Sequence, residues 1–143
     1  YSGEFSFMDE TPGEGRFDRY SILVPSELAS HLLATGWEVP EKIKGMLQKS
    51  ARIFVELADQ KGLGFSYGRS IGAYGATAAL EVLSAAAEVG GLLTEDELEI
   101  AYGYSVKVME YMVDFWYDKD MESINMWEHG RKTDNYRNIV MDS

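Results

Sequence analysis

Residues 70–116 read SIGAYGATAALEVLSAAAEVGGLLTEDELEIAYGYSVKVMEYMVDFW, and their pattern is that of two helices joined by a short turn. Small and apolar residues predict a helix over 70–89 that stops at a glycine pair. Thr94 and Glu97 have the spacing of a capping box, which predicts a further helix to about Trp116. Because the connection is short, the two helices are expected to run antiparallel.

The sequence before this hairpin predicts a second pair of helices. Ser26 as N-cap and Gly36 as a left-handed C-cap residue bound a helix over 26–35. Pro40, a good first-turn residue, begins a longer helix that ends at about Lys61. The apolar residues of both helices recur at helical spacing and form an apolar stripe on each helix: Leu28, Leu32, Leu33, Ile43, Met46, Leu47, Phe54, Leu57 and Ala58.

Two features of the hairpin at 70–116 predict how it packs. Glycine inside a helix costs up to about 1 kcal/mol relative to alanine, so Gly72 and Gly75 predict the close approach of a neighbouring helix or a ligand. The apolar stripe of the last helix is predicted to be core: Leu98, Ala101, Tyr102, Met109, Met112 and Val113.

These elements predict an all-α fold built from antiparallel helix pairs. Glycine and proline interrupt residues 1–25, which are expected to form an irregular segment. Residues 26–143 are expected to form helical hairpins, with a fifth helix starting near Asp134 after a loop at 117–133. The chain opens at Tyr1 without a methionine, and we expect a single helical domain or a fragment of a larger protein.

Composition excludes several classes of partner. The net charge of −11 argues against nucleic acid, whose phosphates require a basic surface, and against an anionic membrane. No apolar run approaches the roughly 18 residues of a membrane helix. With no cysteine, a disulfide framework, a thiolate zinc site and a cysteine nucleophile are all excluded, although the compartment stays open.

The alternating helix directions bring three unusual segments to one end of the predicted bundle. These are residues 1–25, 62–69 and 117–133, which precede the first, third and fifth predicted helices; we call them together the rim. The rim and the start of the fifth helix are rich in aromatic rings, carboxylates, guanidinium groups and amides. Sugars stack on such rings, and their hydroxyls take hydrogen bonds from such polar groups. A carbohydrate is therefore the expected partner.

Three stretches within the rim and at the start of the fifth predicted helix sum to zero charge, although the chain is acidic. Residues 9–19 hold four acids and two bases, which gives −2. Residues 62–70 add +1, and residues 125–137, with three bases and two acids, add another +1. An acidic sugar polymer is therefore compatible with the rim.

Three residues of the rim are candidate catalytic groups. His129 lies in a polar loop and titrates near neutral pH, which suits a general acid or base; a loop histidine bonded to backbone is the alternative. Tyr67 would serve if nearby cations lowered its pKa from about 10. Arg69 is either a clamp for a substrate carboxylate or a structural bridge to acidic residues.

The candidate substrate-binding residues share aromatic, carboxylate or guanidinium side chains: Asp9, Glu10, Asp18, Tyr20, Tyr74, Trp127, Arg131, Asp134 and Arg137. The first three include candidates for the carboxylate pair of a glycosidase. Residues 118–122 are acidic but lack the glycine of a calcium loop. Phosphate-loop, dinucleotide, nucleophile-elbow and HExxH motifs do not occur, so neither a metal nor a cofactor is predicted.

Residues 67–74, YGRSIGAY, follow a glycine-rich loop and open the small-residue helix. This stretch resembles the (α/α)-toroid carbohydrate-active proteins, in particular the heparinase II/III-like lyases and related uncharacterised toroid families, over about residues 60–137. The resemblance implies alternating inner and outer helices, with a substrate cleft where the inner helices begin. In such lyases a tyrosine and a histidine handle the proton while an arginine, asparagine or glutamate neutralises a uronate. Tyr67, His129 and Arg69 match these groups in type.

Together these patterns predict a fragment of a carbohydrate-active enzyme, a lyase or a glycoside hydrolase, and about half of an (α/α)6 toroid. A periplasmic or secreted location would follow. The exposed edge of a half-toroid predicts self-association or association with the rest of the parent chain. One alternative is a non-catalytic helical module that binds a glycan or a partner protein through the same rim. Another is a structural network that ties the loops to the helix ends.

Overall fold

A computed structural model describes residues 5–6, 22–62, 73–120, 122–125 and 140–141. The described part is mainly helical, which confirms the predicted all-α class. Its helices are α1 (Leu23–Ala34), α2 (Glu41–Leu57), α3 (Ala73–Val89) and α4 (Glu95–Tyr111). A π-helical turn over Met112–Trp116 continues α4 directly.

Three short strands follow α4 and form a small antiparallel sheet. They are β1 (Tyr117–Asp118), β2 (Ser123–Asn125) and β3 (Val140–Met141), in the order β1-β2-β3. The Asp118 carboxylate accepts the Asp120 N–H at 3.0 Å, and such a local bond favours a turn over continued helix. The predicted loop at 117–133 therefore contains a hairpin.

The prediction of a fifth helix that continues to the end of the chain is wrong at residues 140–141, which form a strand. Val140 and Met141 pair with β2, with Met141 opposite Ile124. A β-branched residue suits a strand better than a helix, and pairing with a distant strand outweighs the local helical pattern. Residues 134–139, where this helix was predicted to start, lie outside the described residues.

The helices α2 and α4 run parallel. Gln48 Nε2 donates to the Leu92 carbonyl at 2.7 Å, and four residues later Arg52 Nε lies 3.2 Å from Glu97 Oε1. Contacts that advance together along both segments require a common direction. The predicted alternation of helices is confirmed for this pair.

The helices α1 and α3 also run parallel. Ser26 near the start of α1 lies beside Glu81, whereas Leu33 near its end lines one concavity with Val89 at the end of α3. Both helices therefore begin at one end of the bundle. Since α2 and α4 follow them through short turns, α2 and α4 end there.

The core surrounds α3, which packs against α1, α2 and α4. Its inward residues are mostly alanines, so neighbouring helix backbones approach closely, as the glycines and alanines of this helix predicted. The buried members of α3 are Ala76, Ala78, Ala79, Val82, Leu83, Ala85 and Ala86. Leu47 and Phe54 of α2 and Val108 of α4 belong to the same buried cluster.

Two predicted helix ends are confirmed by their cap geometry. Glu97 N–H donates to Thr94 Oγ1 at 3.2 Å while Thr94 N–H donates to Glu97 Oε2 at 2.8 Å, the reciprocal pair of a capping box. The bond from the Thr94 backbone holds the pKa of Glu97 below its ordinary value. Gly36 has φ +77°, the left-handed conformation expected after α1.

Three predicted helix ends need correction. Ser26 is not the N-cap of α1: the helix starts at Leu23, because the first four N–H groups need no helical acceptor and Pro25 fits there. Pro40 is the N-cap of α2 rather than its first residue. The same helix ends at Leu57 rather than Lys61, whose N–H bonds to the nearby Asp59 carboxylate at 2.7 Å.

At Gly62, just after α2, the chain lies against the backbone of α4. The φ of Gly62 is +69°, and an added Cβ would overlap the backbone of Lys107 and Val108. Only glycine satisfies both the left-handed backbone and this contact. Gly62 therefore fixes where the chain leaves α2 beside the end of α4.

We expect Gly62→Ala to destabilise the fold by clearly more than the ~1–2 kcal/mol of left-handed backbone strain, since the two backbones must also move apart. Gly36→Ala is the matched control, because its φ is also positive and open space surrounds its added Cβ. Urea unfolding of both variants measures the difference. Equal losses of stability would show that the contact at Gly62 contributes nothing.

Candidate functional site

The helix ends that adjoin the three rim segments lie at one end of the bundle. α1 and α3 begin at this end, and the chain that follows α2 passes there at Gly62, beside Lys107 and Val108. The π-helical turn and the β1–β2 hairpin continue from α4 at the same end. The three segments that define the rim therefore adjoin one end, as the sequence predicted.

All the candidate site residues but one lie outside the described residues. Of the remaining one, Tyr74, the structure describes only its place in a helix. Tyr74 belongs to the first turn of α3, which begins at the rim. The geometry among the candidates is therefore not part of the described structure, and their roles stay predictions. The others are Tyr67, Arg69, His129, Asp9, Glu10, Asp18, Tyr20, Trp127, Arg131, Asp134 and Arg137.

An aromatic cluster lies at the end of α4 and in the π-helical turn that follows it. The Tyr111 ring stacks on Phe115 with centroids 5.0 Å apart and meets Trp116 edge-on at 4.9 Å. Trp116 is buried, and its Nε1 has no hydrogen-bond partner within the described ranges. A buried donor that stays unpaired is destabilising by about 1–3 kcal/mol.

The concavity lined by Leu33 and Val89, of about 810 Å³, opens at the opposite end of the bundle. Trp37 lies in the α1–α2 turn and is 70% exposed, with Glu38 beside it in the chain. Two charged groups of this concavity already pair, since Lys44 Nζ lies 2.7 Å from Glu41 Oε1, and this bond raises the pKa of Lys44. We assign no site to this concavity. Trp37 lies at the end of the bundle opposite the rim.

A third surface was missed by the sequence analysis because four residues of α4 and the π-helical turn had been predicted to be core. Ala101 and Met112 are indeed buried, but Tyr102, Met109 and Val113 are 74%, 60% and 63% exposed. Leu98 is exposed as well. Periodicity predicted an apolar face correctly, but the neighbouring helices cover only the side with Ala101, Tyr104, Val108 and Met112.

Glu81 is the described carboxylate whose pKa is raised. Partial burial against α1 is the larger cause, and the Glu27 carboxylate adds repulsion. The Ser26 hydroxyl offsets part of this shift, but its hydrogen already bonds the Leu23 carbonyl at 2.8 Å. The ionised form of Glu81 is therefore disfavoured in the folded state.

Two further observations bear on the class of protein. Within residues 22–62 and 73–120 and the other described positions, no three His, Cys, Asp or Glu side chains group closely enough to hold a metal ion. None of the helices the structure describes is both long and apolar enough to cross a membrane.

Comparison with known proteins gives no relative: no family model, no curated protein and no solved structure matches this chain.

We expect Glu81→Gln to raise the melting temperature at pH 7. Because the folded-state pKa is raised, the protonated carboxyl stabilises the fold below the unfolded value of 4.5, and this stability is lost as pH rises through the folded pKa. The gain from glutamine should therefore vanish as pH falls towards 4.5. Thermal melts across this pH range measure it.

Glu88→Gln is the control, since it removes the same charge from an exposed position of α3. It measures how much the melting temperature rises simply because the net charge of −11 becomes smaller in magnitude. A pH profile identical to that of Glu81→Gln would show that burial of Glu81 has no effect on stability.

Proposed function

We propose that this chain is part of a carbohydrate-active enzyme, a polysaccharide lyase or a glycoside hydrolase, whose site is the rim. The observation that carries the proposal is the direction of the helices. α1 runs parallel to α3 and α2 to α4, so the rim segments adjoin one end of the bundle. Residues distant in sequence need such an arrangement to act on one substrate.

The alternation of helices supports the further proposal of a toroid. Successive helices in an (α/α)6 toroid reverse direction, as α1 to α4 do. The small residues of α3 let it lie at the centre of the described helices, where an inner helix belongs. The four helices would then form part of the ring, with the cleft at the end where α1 and α3 begin.

An elimination at the rim would divide the work among three side chains. Arg69 would neutralise the uronate carboxylate, which makes the neighbouring carbon-bound proton more acidic. Tyr67 or His129 would take that proton, and the leaving oxygen would be protonated as the double bond forms. Hydrolysis would instead need two carboxylates, from Asp9, Glu10 or Asp18, on opposite sides of the bond.

Tyr67→Phe separates the two reactions. We expect it to lower elimination about 100-fold or more, the usual effect of losing a proton-transfer group, and to leave hydrolysis largely intact. The assay follows ultraviolet absorbance of unsaturated products and, separately, new reducing ends, on a panel of neutral and acidic polysaccharides. Unchanged elimination by this variant would refute the role of Tyr67.

Trp127→Ala tests binding at the rim independently of catalysis. Loss of one stacking ring, worth about 0.5–1.5 kcal/mol, should weaken sugar binding by up to about tenfold in calorimetry. Trp37→Ala removes an indole from the opposite end and should leave the affinity unchanged. Equal effects of the two substitutions would place binding elsewhere than the rim.

The second candidate function is a non-catalytic helical module that binds a glycan or a partner protein. The exposed apolar residues of α4 favour the partner-protein form, because such patches on a folded surface mark interaction sites. Saturable sugar binding without turnover would favour the glycan form. A chain that binds no sugar of the panel would leave the rim as a structural network and overturn the carbohydrate proposal.

A further inference from the structure

One side of α4 exposes a row of apolar side chains that no described helix covers. Leu98, Tyr102, Met109 and Val113 are spaced by four and seven residues, so they lie on one side of the helix. We call this row the α4 stripe. It spans the sixteen residues from Leu98 in α4 to Val113 in the π-helical turn, a length of about 22 Å at the rise of an α-helix. A row of exposed apolar residues four turns long is larger than the single exposed apolar residues that are normal on a protein surface.

A groove between α3 and α4 adjoins the stripe. Leu83 and Ala87 of α3 face Leu98, Ala101 and Tyr102 of α4 across a concavity of about 310 Å³. The groove also holds two serines, and the Ser105 hydroxyl already donates to a backbone carbonyl at 2.7 Å. Leu98 and Tyr102 belong to both groove and stripe, so the apolar surface is continuous.

Acidic residues border the stripe on the side away from the core. Glu95 and Glu99 each lie three residues before a member of the stripe, which makes them its neighbours on the helix surface. Neither has a cationic partner in the part of the chain that the structure describes. By contrast, Glu110 pairs with Lys107 at 2.7 Å.

The charge of the helix as a whole has the same sign. Residues 95–116 carry six acids and one base, which gives −5. An apolar surface with an acidic border favours a partner that is apolar in the middle and basic at the edge.

We propose that the groove and the α4 stripe bind an amphipathic helix of a partner protein, one with an apolar row and lysine or arginine beside it. A straight apolar groove between two helices accommodates the i, i+3, i+4 and i+7 positions of a third helix. Its basic residues would face Glu95 and Glu99. This inference rests on the partner-protein form of the second candidate function, and it is independent of the rim.

A second copy of the chain fits this surface less well. A two-fold contact through the stripe would use the same surface on both copies, so two helical segments that each carry −5 would face each other. Like charges so placed are repulsive, and each copy carries −11 overall. An anionic membrane surface is disfavoured for the same reason.

The test uses the full chain and a synthetic helical peptide of leucine and lysine, with leucine at i, i+3, i+4 and i+7 of each repeat. We expect one-to-one binding in calorimetry, weakened at least tenfold by Tyr102→Ser with Met109→Ser. Both side chains are exposed, so melting temperatures should stay close to that of the wild type. High salt should also weaken binding, because it screens the charged border.

A charge exchange tests the border itself. Glu95→Lys with Glu99→Lys should weaken binding of the leucine–lysine peptide about tenfold. Glu38→Lys with Glu56→Lys changes the net charge equally at exposed positions of other elements, and its affinity should stay within about twofold of the wild type. If both double variants lost the same affinity, overall charge would explain the effect, and Glu95 and Glu99 would have no specific role in binding the partner.

The remaining outcomes distinguish a failure of this inference from a failure of the candidate function on which it rests. A leucine–glutamate peptide that bound equally well would refute the basic partner while leaving partner binding intact. A dimer in sedimentation that Tyr102→Ser dissociates would identify a second copy as the occupant, and binding of neither peptide would remove the docking surface. Sugar binding is measured separately, and none of these results changes it.

Discussion

Close packing around the alanine-rich side of α3 is the constraint on which the rest of the described structure depends. Alanine occupies most of the buried positions of this helix, so α1, α2 and α4 approach its backbone at once. Larger side chains would push one neighbour away and separate the helix ends. Because α3 touches all three other helices, it fixes the directions of α1 and α4 and so the end of the bundle at which the rim segments adjoin the helices. Partial burial of Glu81 follows from the same packing.

The contact at Gly62 adds a second constraint, which concerns position rather than direction. Parallel helices could slide along each other, but the backbone of Gly62 lies directly against that of Lys107 and Val108. The end of α2 is therefore held beside the last turns of α4. A site assembled from loops benefits from such fixed exits, since each loop starts from a rigid base.

Sequence predicted best what local chemistry determines. The capping box at Thr94 and the left-handed Gly36 depend on a few adjacent atoms, and both were found as predicted. Val140 and Met141 were misassigned because strand pairing depends on residues far along the chain. The α4 stripe was misassigned for another reason: periodicity shows that a face is apolar, but neighbouring helices decide how much of it is covered. For the rim, sequence predicted the common end, while roles such as that of Tyr67 depend on distances that sequence cannot supply.

The distribution of charge links the two surfaces. The rim segments sum to zero in the ranges that carry the candidate residues, so the net charge of −11 lies elsewhere. Residues 95–116 alone account for −5, on the helix that exposes an apolar row. If acidity served only solubility, it would be expected to spread over the whole surface. Two of these acids, Glu95 and Glu99, border the α4 stripe, so in the proposed docking the same charges would repel a second copy of the chain and attract a basic partner.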